Sequence, residues 1–389
     1  MVTGTAEEFG MCSKRLGRIR PAMEALIEQR KFFGGVILVA RHGEVLLHEA
    51  VGYRDQENKV PIEKDAVFSI FSMTKSFTGI LTLNAIEAGQ FALTTKVSEI
   101  IPEFSGGVRE DITFYHLLTH TSGLPMTFTP IPGMYIDKLD EVIDAICKKV
   151  HSAALPGAEA SYAPTVAHAL MGEAVRRTDP LKRSFRQIME ETIIKPLGLK
   201  DTSVGLRADL RARHIKPQWL FDKGALQHLG HSDLGPDGAF EEEDAEMPWV
   251  GIASTVSDIF RFTEMLRRGG EYDGARILSP VTVERTRIDE TPGMINQLYG
   301  RNAIARGWEP MPAYLSIGFS LRGDAICHHQ FGTFTSPQTF GQHGQGSMLY
   351  WIDPKRDVTF VCLSHGVMIE GDNVERFQKL SDMAITSVI

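Results

Sequence analysis

The chain has 389 residues, 43% of them hydrophobic and 23% charged, the balance of a globular protein with an ordinary core. A formal net charge of −8 and the lack of any polybasic run argue against nucleic acid or an anionic membrane as a main partner. No stretch approaches the roughly 18 uninterrupted apolar residues of a membrane span. The first dozen or so residues lack the apolar core of a secretory signal. The four cysteines, Cys12, Cys147, Cys327 and Cys362, show neither C-x-x-C nor metal-ligand spacing, so reduced thiols in a cytoplasmic protein are expected.

In chain order, residues 13–31 read as a helix with Pro21 at a first turn or kink. Gly34-Gly35 opens two strand-like runs, Val36–Arg41 and Val45–Val51, joined by a turn at His42-Gly43-Glu44. Phe71 to Gln90 reads as a helix, because Met73, Phe77, Ile80, Leu81, Ala85 and Ala88 recur at helical spacing. Further helices are expected at 138–150, 165–178 and 182–195. The segment 229–248, with Gly235-Pro236-Asp237-Gly238 and the acidic run 241–244, reads as an exposed crossover loop. Aromatic and β-branched residues then predict strands at Tyr314–Leu321, Ser347–Ile352 and Val358–Ser364, before a last helix over 373–386. Strands at both ends with helices between imply an α+β fold, one antiparallel sheet built from the two termini and flanked by helices. On this reading 1–70 and 245–389 form a discontinuous α/β sheet domain, and 71–244 an inserted, mainly helical one.

Ser72-Met73-Thr74-Lys75 is the only place where a Ser stands three residues before a Lys. On a helix that spacing puts both side chains on one face. A serine hydroxyl is a weak nucleophile until a base takes its proton, and a buried lysine can be that base once desolvation lowers its pKa. The helix N-terminus favours developing negative charge. A chain of this length shows about one such pattern by chance, so the motif gains weight only from its surroundings.

Those surroundings resemble the serine β-lactamase-like hydrolases of the class C type, and most of all the family VIII carboxylesterases. The resemblance runs from about Gly34 to Gly366. It rests on Phe68-Ser69-Ile70-Phe71-Ser72-Met73-Thr74-Lys75, on His116-Leu117-Leu118-Thr119-His120-Thr121-Ser122-Gly123-Leu124, on Pro196-Leu197-Gly198-Leu199 with Asp201-Thr202, and on Gly251-Ile252-Ala253-Ser254-Thr255 with Asp258. It implies that Ser72 is the nucleophile, Lys75 its base, and Tyr162 of Ser161-Tyr162-Ala163-Pro164 a second proton-transfer group. Pro164 stands where the lactamases carry Asn. Gln342-His343-Gly344 stands where they carry K-T-G, with Gln342 in place of the lysine that attracts the penicillin carboxylate. The same resemblance implies an oxyanion hole of the Ser72 and Gln345 backbone N–H groups, substrate contacts at Pro164, Gln342, His343 and Gly344, and a role for His343 that is either catalytic or merely polar.

The implied function is a serine carboxylesterase acting on a small-molecule ester through an acyl-Ser72 intermediate, without cofactor or metal. Its rivals are an acyltransferase using the same acyl-enzyme, a β-lactamase or D-amino-acid peptidase, and a non-enzymatic sensor or scaffold. His116 and His120 stand at i, i+4 but lack a third ligand or an H-E-x-x-H context. G-x-S-x-G is absent, which disfavours an α/β-hydrolase elbow. The loops 125–137 and 286–313 are expected to line the cleft, with Phe128, Tyr135, Met294, Tyr299 and Trp308 as candidate contacts.

Overall fold

A computed structural model describes residues 4–221, 238–345 and 347–389. Its frame is a seven-stranded antiparallel sheet in which Gly34–Arg41 pairs with the central strand, Val358–His365, on one side and with Glu44–Asp55 on the other. Arg41 pairs with Glu44, leaving His42 and Gly43 (φ 53° and 83°) as a two-residue type I′ turn, whose twist suits a hairpin. Beyond Val358–His365 follow Met348–Asp353, Phe340–Gly344 and Ser320–Leu321, and beyond Glu44–Asp55 the short Val60–Pro61.

The uninterrupted apolar run Val36-Ile37-Leu38-Val39 reflects burial on both faces of that sheet. Val36 and Leu38 join Tyr350, Ile352, Val361 and Leu363 in the main core. Ile37 and Val39 point the other way, onto Leu349, Trp351 and Phe360, where residues of the terminal helices Ile19–Glu28 and Glu370–Ile385 cover them. A four-stranded sheet of Ser203–Val204, Ile252–Ser254, Val67–Ser69 and His214–Ile215 leads into the segment that carries Ser72. Asp258 braces it, accepting hydrogen bonds from the Asp201 N–H (2.7 Å) and the Thr202 hydroxyl (2.8 Å).

The Thr74–Glu87 helix is buried on nearly every side. Its polar residues are satisfied by distant partners: Thr78 donates to the Pro248 carbonyl (2.6 Å), Asn84 to that of Ile277 (2.8 Å), and Tyr350 to the Ser76 hydroxyl. The helices Leu139–Lys149 and Val166–Thr178 lie within the predicted ranges.

Several expectations are corrected. Residues 13–31 form two helices, Ser13–Leu16 and Ile19–Glu28, separated by a turn at Gly17–Arg18. The predicted 182–195 helix starts only at Phe185, where Ser184 and Gln187 close a capping box, and passes into a π turn over Glu190–Ile194. Tyr314–Leu321 is not one strand. It folds back at Gly318 (φ 91°), so Leu315 bridges Ser320 and only Ser320–Leu321 joins the sheet. Of the expected exposed loop 229–248, residues 229–237 lie outside the described residues. The remainder turns inward, with Ala239, Phe240, Ala245 and Met247 buried because these apolar residues alternate with the acidic ones. Residues 297–306, expected as loop, form the Gln297–Arg306 helix, capped by Asn296.

Candidate active site

The site begins where the small sheet ends. The Ile70 N–H donates to the Ile252 carbonyl (2.9 Å), and Phe71 then adopts φ 47°, unusual for a bulky residue. This bend and the 3-10 turn Phe71–Met73 place Ser72 just ahead of the Thr74–Glu87 helix. Gly344, ending the Phe340–Gly344 strand, passes directly above. A Cβ there would lie 2.7 Å from the Ile70 carbonyl oxygen and 3.5 Å from the Ser72 nitrogen. Only glycine lets the strand approach the Ser72 turn so closely.

Lys75 is wholly buried, with Nζ 2.9 Å from Ser72 Oγ and donating to the Trp249 carbonyl at 3.0 Å. Tyr162 completes the group, its hydroxyl 2.9 Å from the same Oγ. Burial pushes the Lys75 ammonium well below its ordinary pKa. Burial also raises the Tyr162 phenol, an effect the hydrogen bond to Ser72 partly offsets. With these shifts Lys75 is the group better able to take a proton from a neighbour and Tyr162 the one better able to give a proton up.

Tyr162 lies on a loop held by the His116–Leu124 segment. The His120 carbonyl accepts from the Ser161 N–H (2.9 Å), that of Thr121 from Gly157 (2.7 Å) and that of Gly123 from Ala153 (2.7 Å). A Cβ on Gly123 would meet the Ala154 carbonyl oxygen at 2.2 Å. The His120 ring packs 5.1 Å from the Tyr162 ring and 5.5 Å from His168. Burial lowers His120 to about 3, so it is neutral. His116 serves a different purpose, its Nδ1 accepting from the Thr113 N–H (3.1 Å) at a helix start. Among the described residues no group of three or more His, Cys, Asp or Glu is placed to hold a metal.

Pro164 and Gln345 line, with Ser72, a pocket walled by Phe71, Phe128, Ile136, Trp219, Phe240 and Trp249. A second, smaller pocket opens on the Tyr162 side, lined by Gln342, His343 and Tyr299. His343 Nε2 lies 2.8 Å from the Tyr299 hydroxyl and 3.2 Å from Glu370 Oε1. The Gln342 side-chain carbonyl accepts from the His343 N–H (3.2 Å). Of the aromatic residues expected near the cleft, Phe128 and Tyr299 reach a pocket. Trp308 instead stacks on His328 at 4.0 Å, and Met294 packs on Ala160, Ala313 and Leu315. Sequence reasoning missed the Trp249 carbonyl and Glu370; a backbone acceptor and a lone helix-start carboxylate carry no motif.

The pattern of the beta-lactamase family matches residues 19–381. The chain belongs to the beta-lactamase family. Among its family relatives, Protein Rv1367c of Mycobacterium tuberculosis is 28% identical over 364 residues, 85% of each chain. Esterase EstB of Burkholderia gladioli is 30% identical over 202 residues, 47% of this chain and 50% of EstB. The solved structure of EstCE1, described as a hydrolase with promiscuous acyltransferase activity, superposes with a TM-score of 0.74 at 20% identity, covering 97% of this chain and 99% of that one. The last comparison establishes a shared beta-lactamase-like fold. No helix among the described residues is long and apolar enough to cross a membrane.

Proposed function

We propose that this beta-lactamase family member is a serine carboxylesterase. The observation that carries the reading is the Lys75–Ser72–Tyr162 chain, with contacts of 2.9 Å on each side of the Ser72 hydroxyl and a buried, readily deprotonated lysine at one end. Ser72 Oγ attacks the ester carbonyl while Lys75 takes its proton. The tetrahedral oxyanion is held between the N–H groups of Ser72 and Gln345, beside the close approach of Gly344. On collapse the alkoxide leaves with the Tyr162 proton, which Lys75 replaces, and an acyl-Ser72 ester remains. Water then resolves it by the reverse sequence of proton transfers. An alcohol in place of water gives acyl transfer with the same residues.

The apolar pocket beside Ser72 and Gln345 suits the acyl group, since it flanks the oxyanion position. Penicillin is a poor fit. Its carboxylate meets Gln342 rather than a lysine, and its side-chain amide meets Pro164, which has no donor. One missing charge-assisted hydrogen bond costs roughly 10- to 150-fold in transition-state binding.

The test compares kcat/KM for p-nitrophenyl butyrate and benzylpenicillin. The expected result is measurable ester turnover and at most trace lactam turnover. A penicillin value equal to or above the ester value would contradict the esterase reading and favour a lactamase.

A further inference from the structure

The turn that carries the Gln345 N–H is fastened from behind. The Ser347 N–H donates to the Gly344 carbonyl (3.0 Å). That carbonyl and the Gln345 N–H belong to one planar trans peptide unit, so fixing the first fixes the direction of the second. Ser347 is wholly buried and adopts φ 68°, a left-handed conformation that a residue with a Cβ holds only where its surroundings impose it. Two contacts do so. The Ser347 hydroxyl oxygen accepts from the Met368 N–H (2.9 Å), and its carbonyl accepts from Arg376 Nη2 (2.9 Å). We infer that Arg376 is a positioning residue for the oxyanion hole: acting through Ser347, it aims the Gln345 N–H at the developing oxyanion. The inference rests on the ester reading above, which gives that N–H to the oxyanion.

The surroundings of Arg376 hold it for that task. It lies on the Glu370–Ile385 helix and is 3% exposed. Its Nη1 donates to the Ser364 hydroxyl (3.0 Å) on the Val358–His365 strand, and Nη2 also donates to Asn373 Oδ1 (2.9 Å) one turn back on its own helix. The Phe32 and Phe377 rings lie 5.0 and 4.1 Å from the guanidinium carbon. One side chain thus ties a helix, a strand and the turn together, and the packing leaves it little freedom. Its acceptors among the described residues are all neutral. Burial lowers the guanidinium to about 10, so it remains a cation at neutral pH. A buried cation is costly to keep, and an apolar side chain of similar volume could join the same elements at lower cost.

What the cation adds is direction. Its hydrogen bond to the Ser347 carbonyl is charge-assisted and so stronger than a neutral one. The Ser347 N–H in turn polarises the Gly344–Gln345 peptide, which strengthens the Gln345 N–H as a donor. The other proposed donor, the Ser72 N–H, belongs to the turn that Gly344 abuts. The spacing of the two donors therefore depends on where the Gly344–Ser347 turn sits. Oxyanion donors act over about 2.7–3.1 Å, a tolerance that a loosened turn exceeds.

The experiment measures kcat and KM for p-nitrophenyl butyrate and for its thiono analogue, O-(4-nitrophenyl) thionobutyrate. The thiono sulfur is a weaker hydrogen-bond acceptor than oxygen and gains less from aimed N–H groups. Where its turnover is too slow to follow in steady state, single-turnover acylation gives the same comparison. Arg376→Met, which keeps apolar bulk, is expected to lower kcat for the ester roughly 10- to 100-fold with KM within about 3-fold, and to lower the ester-to-thionoester ratio about 10-fold. Ser364→Ala removes one anchor of the guanidinium and leaves Arg376 in place. It should move the ratio the same way by roughly 2- to 5-fold. Partial unfolding would slow both substrates alike and leave the ratio where it was. An unchanged ratio in folded Arg376→Met would overturn the inference while leaving the esterase reading intact. If that variant does not fold, an unchanged ratio in Ser364→Ala overturns it instead. If the wild type does not turn over p-nitrophenyl butyrate in a Ser72-dependent way, the esterase reading falls and this inference falls with it.

Discussion

At the scale of single residues, the site depends on two groups whose burial shifts them in opposite senses. Lys75 is lowered and Tyr162 raised, so the form with neutral lysine and protonated tyrosine is favoured over a wider pH range than for the free side chains. The acidic limb of kcat/KM therefore reports Lys75 and lies well below the range of a free lysine. Activity rises with pH through that limb, because the base must lose its proton. Lys75→Arg is expected to lose activity on the order of 10²–10⁴-fold, as arginine stays protonated. Tyr162→Phe gives a sharper test. Propyl butyrate needs its alkoxide protonated, whereas p-nitrophenolate departs without a proton. The loss in kcat/KM should thus be roughly 10²–10⁴-fold for the alkyl ester and far smaller for the p-nitrophenyl ester. Equal losses would mean that Tyr162 does not act on the leaving group. Ser72, Lys75 and Tyr162 were legible because the first two share a helical spacing and the third sits in a recognisable string. Tyr299 was expected only as a cleft aromatic, and its coupling to His343 and Glu370 was not legible: three residues dispersed over the chain meet only through the fold.

At the scale of elements, the Ser72 turn is set by close backbone approach. Gly344→Ala would place a Cβ 2.7 Å from the Ile70 carbonyl oxygen, and the strand or the turn must move. A shift of about 1 Å at the nucleophile costs on the order of 10²-fold in rate. The expected outcome is a folded protein by circular dichroism with that loss in kcat/KM; unchanged activity would mean the strand does not abut the turn. The Gly34–Arg41 hairpin was readable because its residues alternate between two covered faces and its turn carries His-Gly. The Thr74–Glu87 helix was readable in position but not in depth. Its Thr78, Asn84 and Ser76 resemble a solvent face, but the Pro248 and Ile277 carbonyls and the Tyr350 hydroxyl take them up, with Ser76 and Thr78 buried and Asn84 half-buried. The stretch 238–248 was misread for the converse reason: its acidic residues suggested solvent, while Phe240 and Met247 between them fill the core.

At the scale of the whole molecule, both termini supply the main sheet and the helices that cover its outer face, so the fold closes only when the two ends of the chain meet. Several histidines are buried in neutral form. Burial lowers His120 and His329 to about 3 and His214 to about 4. A group held down in the folded state contributes stability that is complete above its unfolded pKa, near 6.5, and is withdrawn as pH falls toward the folded value. Each such histidine adds about 1.4 kcal/mol per pH unit to acid destabilisation below that point. Urea unfolding at pH 7 and pH 5 should show a clear loss of stability, smaller in His329→Gln; an equal loss in the variant would mean that His329 is not buried neutral. The central claim, however, is covalent. Intact-protein and peptide mass spectrometry on acid-quenched reactions with p-nitrophenyl butyrate tests it most directly. The account expects one added butyryl group on the peptide containing Ser72, and none in Ser72→Ala. A butyryl group on another residue, or butyrate release by Ser72→Ala at the wild-type rate, would contradict it.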